Sequence, residues 1–114
     1  MKQIRYLEYG GNDVVGEFLG NLEKKDYGKC ERAINLLEEF GMKFVNSEMV
    51  GSVSGYENLW YLRAQFRSNI YRIFFTEYKK FIVLLHGFQK KTQKIPQSEI
   101  KIALERKQAL FKDD

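Results

Sequence analysis

Two hydrophobic periods alternate along this chain. Residues 2–9 are rich in β-formers and stop at Gly10-Gly11, which predicts a first strand. Val14, Val15, Phe18, Leu19 and Leu22 then recur at helical spacing, with Asn12 as the expected cap. A second helical stripe follows in Tyr27, Cys30, Ala33, Ile34, Leu37 and Phe40. Asp26 is its expected cap and Gly41 suits its end. Few residues separate the two stripes, so they should form an antiparallel helical hairpin. Residues 42–58 contain Gly51, Ser52, Ser54, Gly55 and Asn58 and read as loop, with a short strand near 49–53.

The second half is different. Apolar runs over 59–66, 70–77 and 81–88 are separated by short connections near Ser68-Asn69 and Lys79-Lys80. They predict an antiparallel three-strand meander. Pro96 then opens a last helix, where its missing N–H costs nothing, with Ile100, Ala103, Leu104, Lys107, Leu110 and Phe111 as its inner stripe. The expected class is α+β: a small twisted antiparallel sheet with an N-terminal helical hairpin and a C-terminal helix, the helices together on one face. With 114 residues, the chain is expected to form one domain over 1–114.

Charge adds an asymmetry that the net value hides. Residues 1–60 carry 7 Lys/Arg against 10 Asp/Glu, whereas residues 61–112 carry 12 against 3. A basic half attracts polyanions through its summed field and through counterion release. The acidic half argues against simple coating of nucleic acid, and no basic amphipathic helix points to a membrane surface. One cysteine cannot form an internal disulfide, and no secretory leader is evident, so a cytoplasmic location is expected. Cys30 itself reads as a small core residue.

The cations are not spread evenly. Leu84-Leu85-His86-Gly87-Phe88-Gln89-Lys90-Lys91-Thr92-Gln93-Lys94-Ile95-Pro96 begins as an apolar strand and ends as three lysines before a helix. Ammonium groups there suit phosphate oxygens. Arg63 and Arg72 lie inside otherwise apolar strands, with few acids nearby. This density of cations around an apolar sheet predicts that Arg72 and the Lys90-Lys91 segment converge on one solvent-open surface, with Arg63 nearby. A turn symmetric about Ser68-Asn69 would set Gln65 opposite Arg72 and Arg63 opposite Phe74, placing both arginines on one face; an odd-length turn would separate them. No spaced Asp/Glu/His set suggests a catalytic metal, and no cofactor is implied. The lone His86 reads as a hydrogen-bonded residue of the strand rather than a ligand, and one histidine cannot run a two-histidine ribonuclease mechanism.

Leu59-Trp60-Tyr61-Leu62-Arg63, Tyr71-Arg72-Ile73 and the run from Leu84 to Thr92, followed by Pro96, Glu99, Ile100 and Ala103, resemble the HigB-type toxins of bacterial toxin–antitoxin modules. These form a phage-derived branch of the RelE/ParE superfamily. The motifs cover residues 59–106, while the first half agrees in layout. One departure is Tyr61, where the family usually has Glu. The resemblance implies a RelE-like fold and a ribosome-dependent, metal-independent mRNA endonuclease that inhibits translation. It also implies a cognate helix-turn-helix antitoxin, with the ribosome and mRNA as further partners and no membrane role. Carried over by residue, Arg63, Arg72, Lys90 and Lys91 are the catalytic candidates. Phe88, Thr92, Gln93 and Lys94 are the accompanying RNA-contact candidates.

Metal-free RNA cleavage needs a base for the 2′-hydroxyl, cations for the phosphorane and an acid for the leaving oxygen. The planar forks of Arg72 and Arg63 suit the phosphate. Lys90 or Lys91 suits the base if crowding lowers its pKa, and both can serve only if the strand has ended there. Tyr71, Tyr78 and Phe88 can each stack on a base or pack in the core. Two other classes stay open: a ParE-like inhibitor of DNA gyrase without nuclease activity, and a phage RNA-binding module without turnover.

Overall fold

The computed structural model describes residues 2–45 and 47–112. Its elements run β1 (Gln3–Tyr6), β2 (Glu8–Tyr9), β3 (Asn12–Asp13), α1 (Val14–Gly20), α2 (Lys24–Phe40), a 3₁₀ turn (Gly41–Phe44), β4 (Val50–Ser52), β5 (Trp60–Phe66), β6 (Asn69–Tyr78), β7 (Phe81–Lys90) and α3 (Gln97–Lys112). The main sheet has the order β1-β7-β6-β5-β4. The meander β5-β6-β7 is antiparallel, as its short turns require, and β4 extends it in the same sense. β1 joins the other edge parallel to β7, so the five-stranded sheet is mixed. The expected single strand over 2–9 divides, because Glu8 and Tyr9 leave the main sheet and pair with Asp13 and Asn12 around Gly10-Gly11. Both glycines have positive φ, which a side chain would resist.

The helices do not share a face. Val15 and Leu19 of α1 and Cys30, Ala33, Ile34 and Leu37 of α2 pack on Leu62, Tyr71, Ile73, Phe75, Ile82 and Leu84. Ile100 and Ala103 of α3 pack instead with Phe74, Val83, Leu85 and Phe88 on the opposite face. The reason lies in β6, where Ile73, Phe74 and Phe75 are all buried. Consecutive apolar residues point to alternate sides of a strand, so both sides need cover. Among the described residues no helix is long and apolar enough to cross a membrane.

Local capping also departs from the sequence reading. The cap of α1 is Asp13, not Asn12, and its carboxylate accepts from the Gly16 N–H at 2.9 Å. Glu23 rather than Asp26 precedes α2, and it makes no side-chain cap bond. Asp26 is buried in the first turn of α2, where it accepts hydrogen bonds from Tyr71 Oη and, at 3.0 Å, from Asn69 Nδ2. Gly41 ends α2 with φ of 60° as expected. Tyr27 and Phe40, expected in the inner stripe of α2, are exposed, as is Phe111 of α3.

Close approach decides one glycine. A Cβ on Gly87 would lie 2.5 Å from Cδ2 of Phe18, so α1 rests its ring directly on β7. Gly87→Ala is expected to cost about 1–3 kcal/mol as an overpacked core site. Urea unfolding checks this, and a Phe18→Leu background should remove most of the loss. Equal losses in both backgrounds would sink the explanation.

Candidate nucleic-acid interface

The turn between β5 and β6 is Arg67-Ser68, since Phe66 pairs with Asn69. This is one residue earlier than expected, and Arg67 takes φ of 55° there. The shift moves the register. Arg63 faces Arg72 directly, and Gln65 faces Ile70. Directly opposed residues share a side, so the two arginines do occupy one face, although by a different pairing. It is the α3 face, because Arg72 lies two residues from Phe74 on β6 and so shares its side.

Arg72 is 8% exposed. Its Nε and Nη1 are buried without a hydrogen-bond partner, and no ion pair engages it among the described residues. A buried guanidinium normally meets a carboxylate or several carbonyls. Here its central carbon lies over the Tyr61 ring, 4.4 Å from the centroid. Its burial corrects the expectation that it lies on an open surface. Arg63 is half-buried and donates from Nη2 to Gln65 Oε1 at 2.8 Å. Gln65 in turn donates to the Arg67 carbonyl at 2.8 Å. Gln65 was missed in the sequence; the available signal was its place two residues beyond Arg63, on the same side of one strand.

β7 ends at Lys90, which pairs with Ile70, while Phe88 pairs with Arg72. Lys90 is thus a diagonal neighbour of Arg72, a relation that spans about 7–8 Å in a sheet. Lys91 lies just past the strand end, so alternation no longer forces it away from Lys90. Both lysines line a shallow open cleft with Ile70, Thr92 and Gln93. Lys94 is exposed beyond it, and its carbonyl accepts from Thr92 Oγ1 at 2.7 Å. The Glu99 and Ile100 N–H groups bond to the Pro96 carbonyl, which starts α3 immediately after this loop.

Phe88 does not belong to that surface. It is buried, with its ring stacked on Phe74 at 5.5 Å and on His86 at 6.1 Å between centroids. It packs the core and offers no free face to a base, which corrects its place among the RNA-contact candidates. Tyr71 is buried on the opposite face, where it bonds to Asp26, and Tyr78 packs edge-on against Phe111 at 5.0 Å. Cys30 is fully buried, and burial first, then Asp26, push its thiol up to about 11. That suits a core residue and not a nucleophile.

His86 is held from both ring nitrogens. Nε2 lies 2.8 Å from Glu99 Oε1, and Nδ1 lies 3.3 Å from Arg106 Nη1. Arg106 also donates to the Leu85 carbonyl at 2.9 Å. An arginine can only donate, so Nδ1 accepts and Nε2–H donates to Glu99. The sheet register shifts between Phe74 and Phe75, which pair with His86 and Leu84. Leu85 is therefore an extra residue, and the bulge turns both Leu85 and His86 toward α3. Burial lowers the His86 pKa below its ordinary value; Glu99 opposes this and Arg106 adds to it. A lowered histidine contributes stability that is full above about pH 6.5 and is lost as pH falls through the folded value. The gap in urea stability between the parent and His86→Phe should thus be larger at pH 8 than at pH 5.5. A gap independent of pH would contradict the assignment.

Arg63 on β5, Arg72 on β6 and Lys90 at the end of β7 are cross-strand neighbours on one face of the sheet, with Lys91 just beyond; Arg72 is buried among them. Among the described residues no cluster of three His, Cys, Asp or Glu side chains is placed to hold a metal ion. The exposed lysine loop can track a polyanion, and Arg72 can reach an anion only through Nη2, since its Nε and Nη1 are closed off. A family model described as phage-derived protein Gp49-like matches residues 17–108, a span that includes all four cations. No curated protein sequence matches the chain.

Proposed function

Since the chain belongs to the phage-derived Gp49-like family, we propose that it is the toxin of a type II toxin–antitoxin module. It acts as a ribosome-dependent mRNA endonuclease and is restrained by a helix-turn-helix antitoxin. The supporting observation is Arg72: a buried guanidinium with two orphaned nitrogens, beside a lysine-lined cleft. Such a group is costly to bury unless an anion completes it.

In this reading the 2′-hydroxyl oxygen of one nucleotide attacks its own 3′-phosphate. A 2′-oxygen–phosphorus bond forms and the bond from phosphorus to the 5′-oxygen of the next nucleotide breaks. The products are a 2′,3′-cyclic phosphate and a free 5′-hydroxyl. One of Lys90 and Lys91 takes the proton of the attacking hydroxyl, and the other, as an ammonium, gives a proton to the leaving 5′-oxygen. Arg72, with Arg63 beside it, stabilises the extra negative charge of the phosphorane. Thr92, Gln93 and Lys94 meet the flanking backbone. His86 takes no part, because Glu99 and Arg106 occupy both of its nitrogens.

The test is translation of one defined mRNA by purified ribosomes, with and without the protein. Cleavage inside codons, present only on translated message, is the expected result. Intact message with inhibited DNA supercoiling would favour a gyrase inhibitor. Intact message that nevertheless binds the protein would favour a non-catalytic RNA-binding module.

A further inference from the structure

Arg72 is held in place by an aromatic ring and not by a counter-ion. Its guanidinium carbon sits 4.4 Å from the Tyr61 ring centroid, while Nε and Nη1 have no hydrogen-bond partner. Tyr61 is a diagonal neighbour on β5, since Arg63 faces Arg72 and Tyr61 faces Phe74. The other end of the ring reaches over β4. A Cβ on Gly51 would lie 2.5 Å from Tyr61 Cζ, so only glycine leaves room for the phenol to lie across that strand. Gly51, Tyr61 and Arg72 therefore make one continuous stack over three strands.

The chemistry of that stack is specific. A carboxylate at position 61 would attract the guanidinium more strongly, but it would consume its N–H groups and cancel its charge. A ring face attracts the cation through its quadrupole and offers no lone pair to those N–H groups. We infer that Tyr61 is a positioning residue: its ring holds the Arg72 guanidinium without neutralising it, leaving Nη2, the guanidinium nitrogen that is not closed off, to receive an RNA phosphodiester. Gly51 makes the space that lets the ring lie there. The inference deepens the nuclease reading and rests on it for the identity of the anion.

The experiment uses the whole chain and two probes. The first is a 2′-O-methyl RNA oligonucleotide, which cannot supply the attacking hydroxyl, with its Kd measured across a salt series. Tyr61→Phe should bind as the parent does. Tyr61→Leu should bind about fivefold more weakly, the scale of a lost cation–π contact. Tyr61→Glu should lose at least about tenfold, and its slope of log Kd against log salt should fall by about 0.7, one phosphate contact on a single strand. Gly51→Ala keeps every charge but displaces the ring, so it should resemble Tyr61→Leu and serves if that variant does not fold. The second probe is inorganic phosphate, followed by the ¹⁵N signal of Arg72 Nε–H. The parent and Tyr61→Phe should show the same saturable shift, while Tyr61→Leu and Gly51→Ala should need more phosphate.

Parental affinity and slope in Tyr61→Leu, Tyr61→Glu and Gly51→Ala would overturn the role of Tyr61 while leaving the nuclease reading intact. The opposite failure is also separable. If the parent ignores RNA but the ring-dependent phosphate shift persists, the role of Tyr61 stands and the RNA reading falls.

Discussion

Arg72→Ala is expected to slow cleavage of ribosome-bound mRNA by about 10²–10³-fold, the usual loss when one preorganised donor to a developing oxyanion is removed. Binding to ribosomes should fall far less, because one phosphate contact is a small part of a large interface. The same position makes a second, less intuitive expectation. Arg72 is buried with two unpartnered nitrogens, and each such group costs about 1–3 kcal/mol in a folded protein. Arg72→Leu should therefore be more stable than the parent by roughly that amount while being just as inactive. Single-turnover cleavage, ribosome co-sedimentation and urea unfolding on the same samples separate these effects. Lys91→Ala offers the contrast: loss of rate at constant binding marks a base, whereas loss of binding with a shallower salt slope marks a backbone contact. A folded Arg72→Ala protein that cuts at the parental rate would remove Arg72 from the proposed active site.

The largest stability effect is expected at Asp26. Its carboxylate ties the first turn of α2 to β6 by accepting from Tyr71 and Asn69, all at a buried position. Hydrogen bonds to a charged group contribute about 1.5–3 kcal/mol each, so Asp26→Ala should cost about 3 kcal/mol and leave the Tyr71 hydroxyl without an acceptor. Burial first, then the bond to Asp26, push the Tyr71 phenol up to about 12. A phenol raised in the folded state contributes stability that is full below about pH 10 and is lost as pH rises toward the folded value. Alkaline unfolding of the parent should begin there, and Tyr71→Phe should remove that component. A double-mutant cycle between Asp26→Ala and Tyr71→Phe should give a coupling above about 0.5 kcal/mol; additive losses would show that the two do not act together. Cleavage per folded molecule should be little changed, because Tyr71 lies on the sheet face opposite Arg72.

Much of the site was legible for a simple reason. Arginine inside an apolar strand and three lysines at a strand end are unusual wherever they fall, so composition and spacing marked an anion-binding surface; the resemblance singled out Arg63, Arg72, Lys90 and Lys91 as catalytic candidates. Phe88 was misplaced because an aromatic residue beside lysines reads equally as a stacking platform or as core. Only its neighbours across the sheet, Phe74 and His86, decide for core. Asp26 was misread for a similar reason. An acid near a helix start suits a cap, but its partners here are 43 and 45 residues away. Gln65 carried a weak signal, its place two residues beyond Arg63 on one strand, and only the hydrogen bond between the two side chains gives that spacing a meaning.

The sequence by itself determined the helical stripes, the three-strand meander and the basic strand end, because these depend on periods of a few residues and on short turns. Tertiary structure alone decided which face each helix covers, the parallel pairing of β1 and the direct pairing of Arg63 with Arg72. A shift of a single residue in the turn at Arg67-Ser68 was enough to change that pairing. It also decided that Arg72 would be buried over Tyr61 with its charge uncompensated. Local propensity cannot encode that outcome, since it arises from the Tyr61 ring on β5, room left by Gly51 on β4 and a guanidinium on β6 meeting across the sheet.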